Sequence, residues 1–134
     1  CALPILYGNP TRPAKSQAPM HYRSISWRAW QLGASGVGFW SYSNTGGTSA
    51  WDDLDGRMPD WAVVYEGAPI ISSRRWEAFR EGVEDLRLLR YLDPQSTFLE
   101  QHFIEIDNRE SGEYMRRARE ALLAPFFNIG QGKP

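Results

Sequence analysis

Between residues 65 and 93 the apolar side chains Trp76, Phe79, Val83, Leu86 and Leu89 recur at steps of three and four. That period draws one stripe along an α-helix of about five turns. A stripe of this length requires a large partner surface. The opposite face carries Glu77, Arg80, Glu81, Glu84, Arg87 and Arg90. Arg80–Glu84 and Glu84–Arg87 stand four and three residues apart and are worth roughly 0.2–0.5 kcal/mol per pair. Ser72 or Ser73 caps the first turn; with Ser72 as cap, Ile71 and Trp76 form a hydrophobic staple. Asp93-Pro94 ends the helix, because a residue before proline is pushed out of the helical region.

The segments around this helix set up an α/β arrangement. Residues 21–33 predict a helix with Tyr22, Ile25, Ala29 and Leu32 on one face, Trp27 and Trp30 flanking it, and Gly33 as C-cap. Residues 36–42, GVGFWSY, follow as a short strand that is apolar on both faces, as a buried parallel strand is. Helix, glycine turn and buried strand make half of a βαβ unit. Residues 9–20, with three prolines and no periodicity, predict a loop. Residues 43–60 form a second loop, rich in Gly, Ser, Asn and Asp. Residues 62–65 are a minor strand leading to the long helix. Beyond Pro94, Phe98, Leu99, His102, Phe103 and Ile106 predict a weaker helix. Ser111 caps a last helix over 112–123, stopped by Pro125, and the tail 128–134 is expected to be disordered.

Charge and composition exclude several functions. The 15 basic and 16 acidic residues leave a net charge of −1 with no run of one sign. Such a chain has no electrostatic footprint for nucleic acid or an anionic membrane. No apolar run approaches the roughly 18–20 residues of a membrane span. One cysteine allows no internal disulfide, so the compartment is open. The start at Cys1 fits a fragment of a longer chain better than a processed lipoprotein, because CALPILYG is not a polar tether. His21 and His102 are too isolated to hold a metal, and no cofactor motif is present. Cys1 has no histidine in context, and Ser41, Ser43 and Ser49 lack the strand-to-helix elbow of a serine nucleophile.

The long helix also carries a resemblance. The series Tyr65, Gly67, Ile71, Ser73, Arg75, Trp76, Glu77, Ala78, Arg80, Glu81, Gly82, Glu84, Asp85 and Leu89 resembles the C-terminal part of the catalytic domain of glycoside hydrolase family 123 and its uncharacterised relatives. Upstream, Tyr22-Arg23 with Trp27, and Gly33, Gly36 and Trp40, fit the same pattern. The matches run in order over roughly residues 20–92. Glu66 and Ser72 depart from it, standing where the family is expected to have prolines.

One strand cannot form a sheet, yet Phe39, Trp40 and the striped helices demand one. A (β/α)8 barrel takes about 250 residues, so the expected fold is the C-terminal segment of a TIM-type barrel. Residues 1–93 supply its last strand and last two barrel helices, 94–127 a helical extension, and 128–134 a tail. The remainder of the barrel is then an expected partner.

In a barrel the working face lies at the C-terminal ends of the strands. Trp40 and Tyr42 end the strand there, and the following loop carries Trp51 and Asp53. Aromatic faces with carboxylate acceptors suit a carbohydrate site, so Trp40, Tyr42, Trp51 and Asp53 are the candidate sugar-binding residues. Trp40 as barrel core and Trp51 as a mere pin for its loop are the competing roles. Tyr22, Arg23 and Tyr65 stand as a possible outer layer, with structural capping the favoured role for Tyr22 and Arg23.

WDDLDG fails as a calcium loop, since positions one and twelve would be Trp51 and Ala62. Asp52 and Asp53 could form a glycosidase carboxylate pair, but the resemblance implies otherwise. Its relatives are thought to use an adjacent Asp-Glu pair on an earlier strand, with the substrate's acetamido group as nucleophile. No catalytic residue is therefore expected in this chain. Glu84-Asp85 and Glu81, mid-helix on the outer ring, are assigned structural roles. The resemblance implies an N-acetylhexosamine-type glycan as ligand and a secreted or cell-envelope parent of β-N-acetylgalactosaminidase type. The alternatives are a non-catalytic carbohydrate-binding or scaffold protein on the same fold, and a helical interaction module made of residues 72–124.

Overall fold

The computed structural model describes residues 4–8, 19–92 and 111–127. Its elements are β1 (Ile5–Gly8), α1 (Pro19–Gln31), β2 (Gly36–Phe39), β3 (Val64–Tyr65), β4 (Ile71–Ser72), α2 (Arg74–Leu92) and α3 (Ser111–Phe127). The weaker helix expected near 98–106 and the tail 128–134 lie outside the described residues.

The strand at 36–39 has a parallel partner in β1, paired Ile5 to Gly36 through Gly8 to Phe39. Pro4 seats the pair, since its carbonyl accepts both the backbone N–H of Ser35 at 2.7 Å and the Ser35 hydroxyl at 3.0 Å. With α1 between the two strands, this is a complete βαβ unit. Among the described residues one face of the sheet is covered. Leu6, Val37 and Phe39 join Tyr22, Ile25, Val63 and Val64 in a core that Trp76 and Phe79 complete. Ile5 and Tyr7 point the other way and stay 69% and 54% exposed, so the opposite face has no apolar partner among the described residues.

Helix α1 begins at Pro19, two residues before the expected start, with proline in the first turn where its missing N–H is not needed. Gly33, at φ 63°, ends it, and the Gly33 and Ala34 N–H groups fold back onto the carbonyls of Trp30 and Ala29. Helix α2 is capped by Ser73, not Ser72. The Ser73 hydroxyl accepts from the N–H groups of Arg75 and Trp76 at 3.1 and 3.3 Å. Ser72 is instead in β4, paired with Val64, so the staple that needed it as cap does not form. Helix α3 runs through Pro125 to Phe127. Pro125 has no N–H to give the carbonyl of Ala121, yet it does not end the helix.

The α1–α2 contact departs most from the stripe reading. Gly82 and Asp85 are buried in it together with Leu86 and Leu89. A Cβ on Gly82 would come within 2.7 Å of the Arg23 carbonyl, so glycine sets how closely the two helices approach. Asp85, expected on the outer ring, is 1% exposed. Its Oδ2 accepts from Arg23 Nε at 2.8 Å and Trp27 Nε1 at 3.0 Å, while Arg119 of α3 reaches its Oδ1 at 3.0 Å. Glu81 pairs with the other arm of Arg23 at 3.2 Å. Arg23, Trp27, Glu81, Gly82 and Asp85, five residues of the sequence resemblance, thus meet in one helix–helix lock. Around it Trp27, Trp30, Leu86, Leu89, Met115 and Ala118 form a second core shared by α1, α2 and α3. The surface pairing of α2 also differs from expectation: Arg80 bonds back to Glu77 at 2.8 Å.

Candidate functional site

Past β2 the chain leaves the sheet at Trp40 and runs through a closed loop to Trp61, ahead of β3 in the second sheet. The Trp61 N–H donates to the Asn44 carbonyl at 2.8 Å, and the Val63 N–H to that of Tyr42 at 3.0 Å. The Ser41 hydroxyl donates to the Trp61 carbonyl, a third tie across the same neck.

Within the loop the carboxylates serve as internal acceptors. Asp60, 1% exposed, takes the Gly46 N–H at 2.7 Å. Asp53 takes the Asp60 N–H at 2.8 Å, and Asp52 takes that of Leu54 at 2.9 Å. Asp55 accepts three donors on one oxygen: the Thr48 N–H at 2.9 Å, its hydroxyl at 3.0 Å and the Ser49 N–H at 3.0 Å. Glu66 reaches across from the far side of the neck, accepting the Ser49 hydroxyl and the Ala50 N–H, the latter at 3.0–3.1 Å. Backbone N–H groups, which are good donors to ionised carboxylates, tie this acidic segment together.

The candidate residues fall into separate groups. Trp40 closes β2 and is 47% exposed. Tyr42, 46% exposed, sets its ring against the edge of Trp76 with centroids 5.1 Å apart. Trp51 stacks on Tyr65 at 4.4 Å and 24° and donates its indole N–H to the Glu66 carbonyl at 3.0 Å. Asp53 is engaged with the loop backbone, as above. The structure therefore brings Tyr65, drawn from the outer layer, directly against Trp51. It assigns Tyr42 to the Trp76 and Phe79 cluster, whose rings stack at 5.8 Å. Glu66 was missed in the sequence, where it registered only as a departure from the expected proline. Its signal was its place beside Tyr65, one strand-end away from the loop.

Tyr22 and Arg23 are core residues. Tyr22 is fully buried, its ring edge-on to Phe39 at 5.1 Å. Burial pushes its hydroxyl above the ordinary phenol range, against the opposing pull of Arg75. Arg23 belongs to the helix lock.

The hydrogen bonds at Asp55 and Glu66 have a pH signature. The Thr48 N–H, ahead of the other donors, holds Asp55 below its ordinary 3.8, and the Ser49 hydroxyl, ahead of the rest, holds Glu66 below its ordinary 4.5. A depressed carboxylate contributes stability that is complete above its unfolded pKa and is lost as pH falls through the folded one. The amides of Thr48, Ser49 and Ala50 should therefore keep their protection at pH 5 and lose it, relative to the intrinsic exchange rate at each pH, only below about pH 4, ahead of those in α1. Hydrogen exchange across an acid series measures this. Loss of protection at pH 5–6 would show that other groups hold the loop.

Among the described residues no group of His, Cys, Asp or Glu could hold a metal ion, and no helix is long and apolar enough to cross a membrane. No family model matches the chain, and no curated protein does.

Proposed function

We propose that the chain is the C-terminal segment of a (β/α)8-type, glycoside-hydrolase-like domain and lines part of a carbohydrate site. Half-exposed aromatic residues on the segment that follows a parallel strand carry this reading: Trp40 and Tyr42 come directly after β2, and Trp51 lies on the loop beyond them. The βαβ unit, with Ile5 and Tyr7 left exposed by the other described residues, suits a sheet that continues beyond two strands, since parallel sheets are covered on both faces. The sequence resemblance supplies the ligand class, an N-acetylhexosamine-type glycan. The catalytic carboxylates then belong to an earlier strand, and the loop carboxylates of this segment shape the site without taking part in the chemistry.

Trp51 tests the reading, because a loop tryptophan can be truncated without opening a core cavity. Trp51→Ala in the full-length protein should weaken binding of an N-acetylhexosamine ligand by about 1–3 kcal/mol, using base–aromatic stacking as the stand-in for sugar stacking. Tyr42→Phe should cost about 0.5–1.5 kcal/mol if its hydroxyl makes one net hydrogen bond. Calorimetry gives the affinities and melting curves control for folding. An unchanged affinity in Trp51→Ala returns that residue to pinning its loop. Binding without hydrolysis by the full-length protein favours the non-catalytic, sugar-binding alternative.

A further inference from the structure

Trp51 is fixed at both its backbone and its ring. Its N–H donates to the Ser49 hydroxyl at 3.1 Å, that hydroxyl donates to the Glu66 carboxylate, and the indole N–H donates to the Glu66 carbonyl at 3.0 Å. One face of the indole is covered by Tyr65, at 24° and 4.4 Å. With the N–H spent and one face taken, the 56% of Trp51 still exposed offers a ligand a flat π surface and no hydrogen-bond donor. A ring already stacked and tethered loses little freedom when a ligand arrives, which favours binding.

The loop around it is acidic on balance. Between residues 43 and 66 stand Asp52, Asp53, Asp55, Asp60 and Glu66 against a single base, Arg57. Asp52, Asp55 and Glu66 are exposed, and the Glu66 carboxylate closes on Ala50, next to Trp51 in the chain. Like charge brought to such a surface is repelled, most strongly at low salt.

We infer that Trp51 and Tyr65 form one stacked platform for the apolar face of an uncharged pyranose, and that the carboxylates beside it discriminate against sulfated or uronate-bearing glycans. This deepens the carbohydrate reading and rests on it. Trp51 is the contact surface and Tyr65 a positioning residue that acts through it. The ligand presents C–H groups to the ring and directs its hydroxyls elsewhere.

The test uses the full-length protein with a neutral N-acetylgalactosaminide oligosaccharide and its sulfated counterpart. Calorimetry and saturation-transfer NMR are read at low and moderate salt. Ring C–H protons on one pyranose face should take the strongest saturation. Tyr65→Ala should weaken the neutral ligand about tenfold, and Tyr65→Phe should restore it to within about twofold, because a phenyl ring stacks without the hydroxyl. The sulfated ligand should bind at least about tenfold more weakly, with the gap narrowing in salt and in Glu66→Gln. Melting curves and circular dichroism show that each variant is folded. Neutral binding that is unchanged in folded Tyr65→Ala, or tighter binding of the sulfated ligand, overturns the platform while leaving the carbohydrate reading in place. Absence of binding to either sugar by the wild-type protein overturns both.

Discussion

Asp85→Ala should destabilise the protein by about 3–5 kcal/mol, the cost of breaking a buried ion pair by removing one partner. The size of the effect comes from what is left behind. The Arg23 side chain, 13% exposed, loses its acceptor at 2.8 Å, and the buried Trp27 indole N–H loses its own at 3.0 Å. Glu81, 56% exposed, still faces Arg23, but an exposed carboxylate compensates only weakly. Asp85→Asn is the informative companion, since it keeps an acceptor oxygen and removes the charge. Denaturant melts of Asp85→Ala, Arg23→Ala and the double variant should show strong non-additivity, with the double variant little worse than either single one. A loss below about 1 kcal/mol in Asp85→Ala would mean that the three helices do not depend on this carboxylate.

Trp27→Ala should cost about 3–5 kcal/mol as well, by a different route. Trp27 is fully buried in the core shared by α1, α2 and α3, with Trp30 edge-on at 6.2 Å and Tyr114 at 6.4 Å. Truncation opens a cavity between helices whose approach Gly82 has already fixed, so the gap cannot close by collapse. Trp27→Phe fills most of the space and loses only the N–H to Asp85, so it should cost markedly less. Similar losses for the two substitutions would locate the contribution of Trp27 in its hydrogen bond.

The helices were legible in the sequence because their signals are local. The stripe from Trp76 to Leu89 and the Gly33 cap are written within a few turns, and α1 and α2 stand within two residues of the expected ends. Asp85 was placed on the wrong face because a carboxylate inside a helix ordinarily faces solvent. Its burial depends on Arg23 and Trp27, some sixty positions earlier. Strand β1 escaped notice because four residues carry no period, and only pairing with β2 marks them as a strand. The loop was recognised as a loop, but its acidic residues could be either ligand acceptors or internal ones. Which they are depends on where backbone N–H groups point, and composition does not encode that. The stack of Trp51 on Tyr65 is not legible either, for a contact across a loop neck has no sequence spacing of its own.

The way the loop is held has a consequence for how such a protein can change. Its turns are fastened by Asp53, Asp55, Asp60 and Glu66 closing on main-chain donors, which every residue type except proline supplies. Leu54 and Met58, 91% and 65% exposed, lie in the same segment with little of their surface buried. Such positions are free to diverge, and to carry new recognition, while the chassis beneath stays as it is. The freedom stops at Gly46, Gly47 and Gly56, where a Cβ would collide with the opposing loop limb. Variation that leaves the acidic fasteners and those three glycines in place can retarget the surface without refolding it.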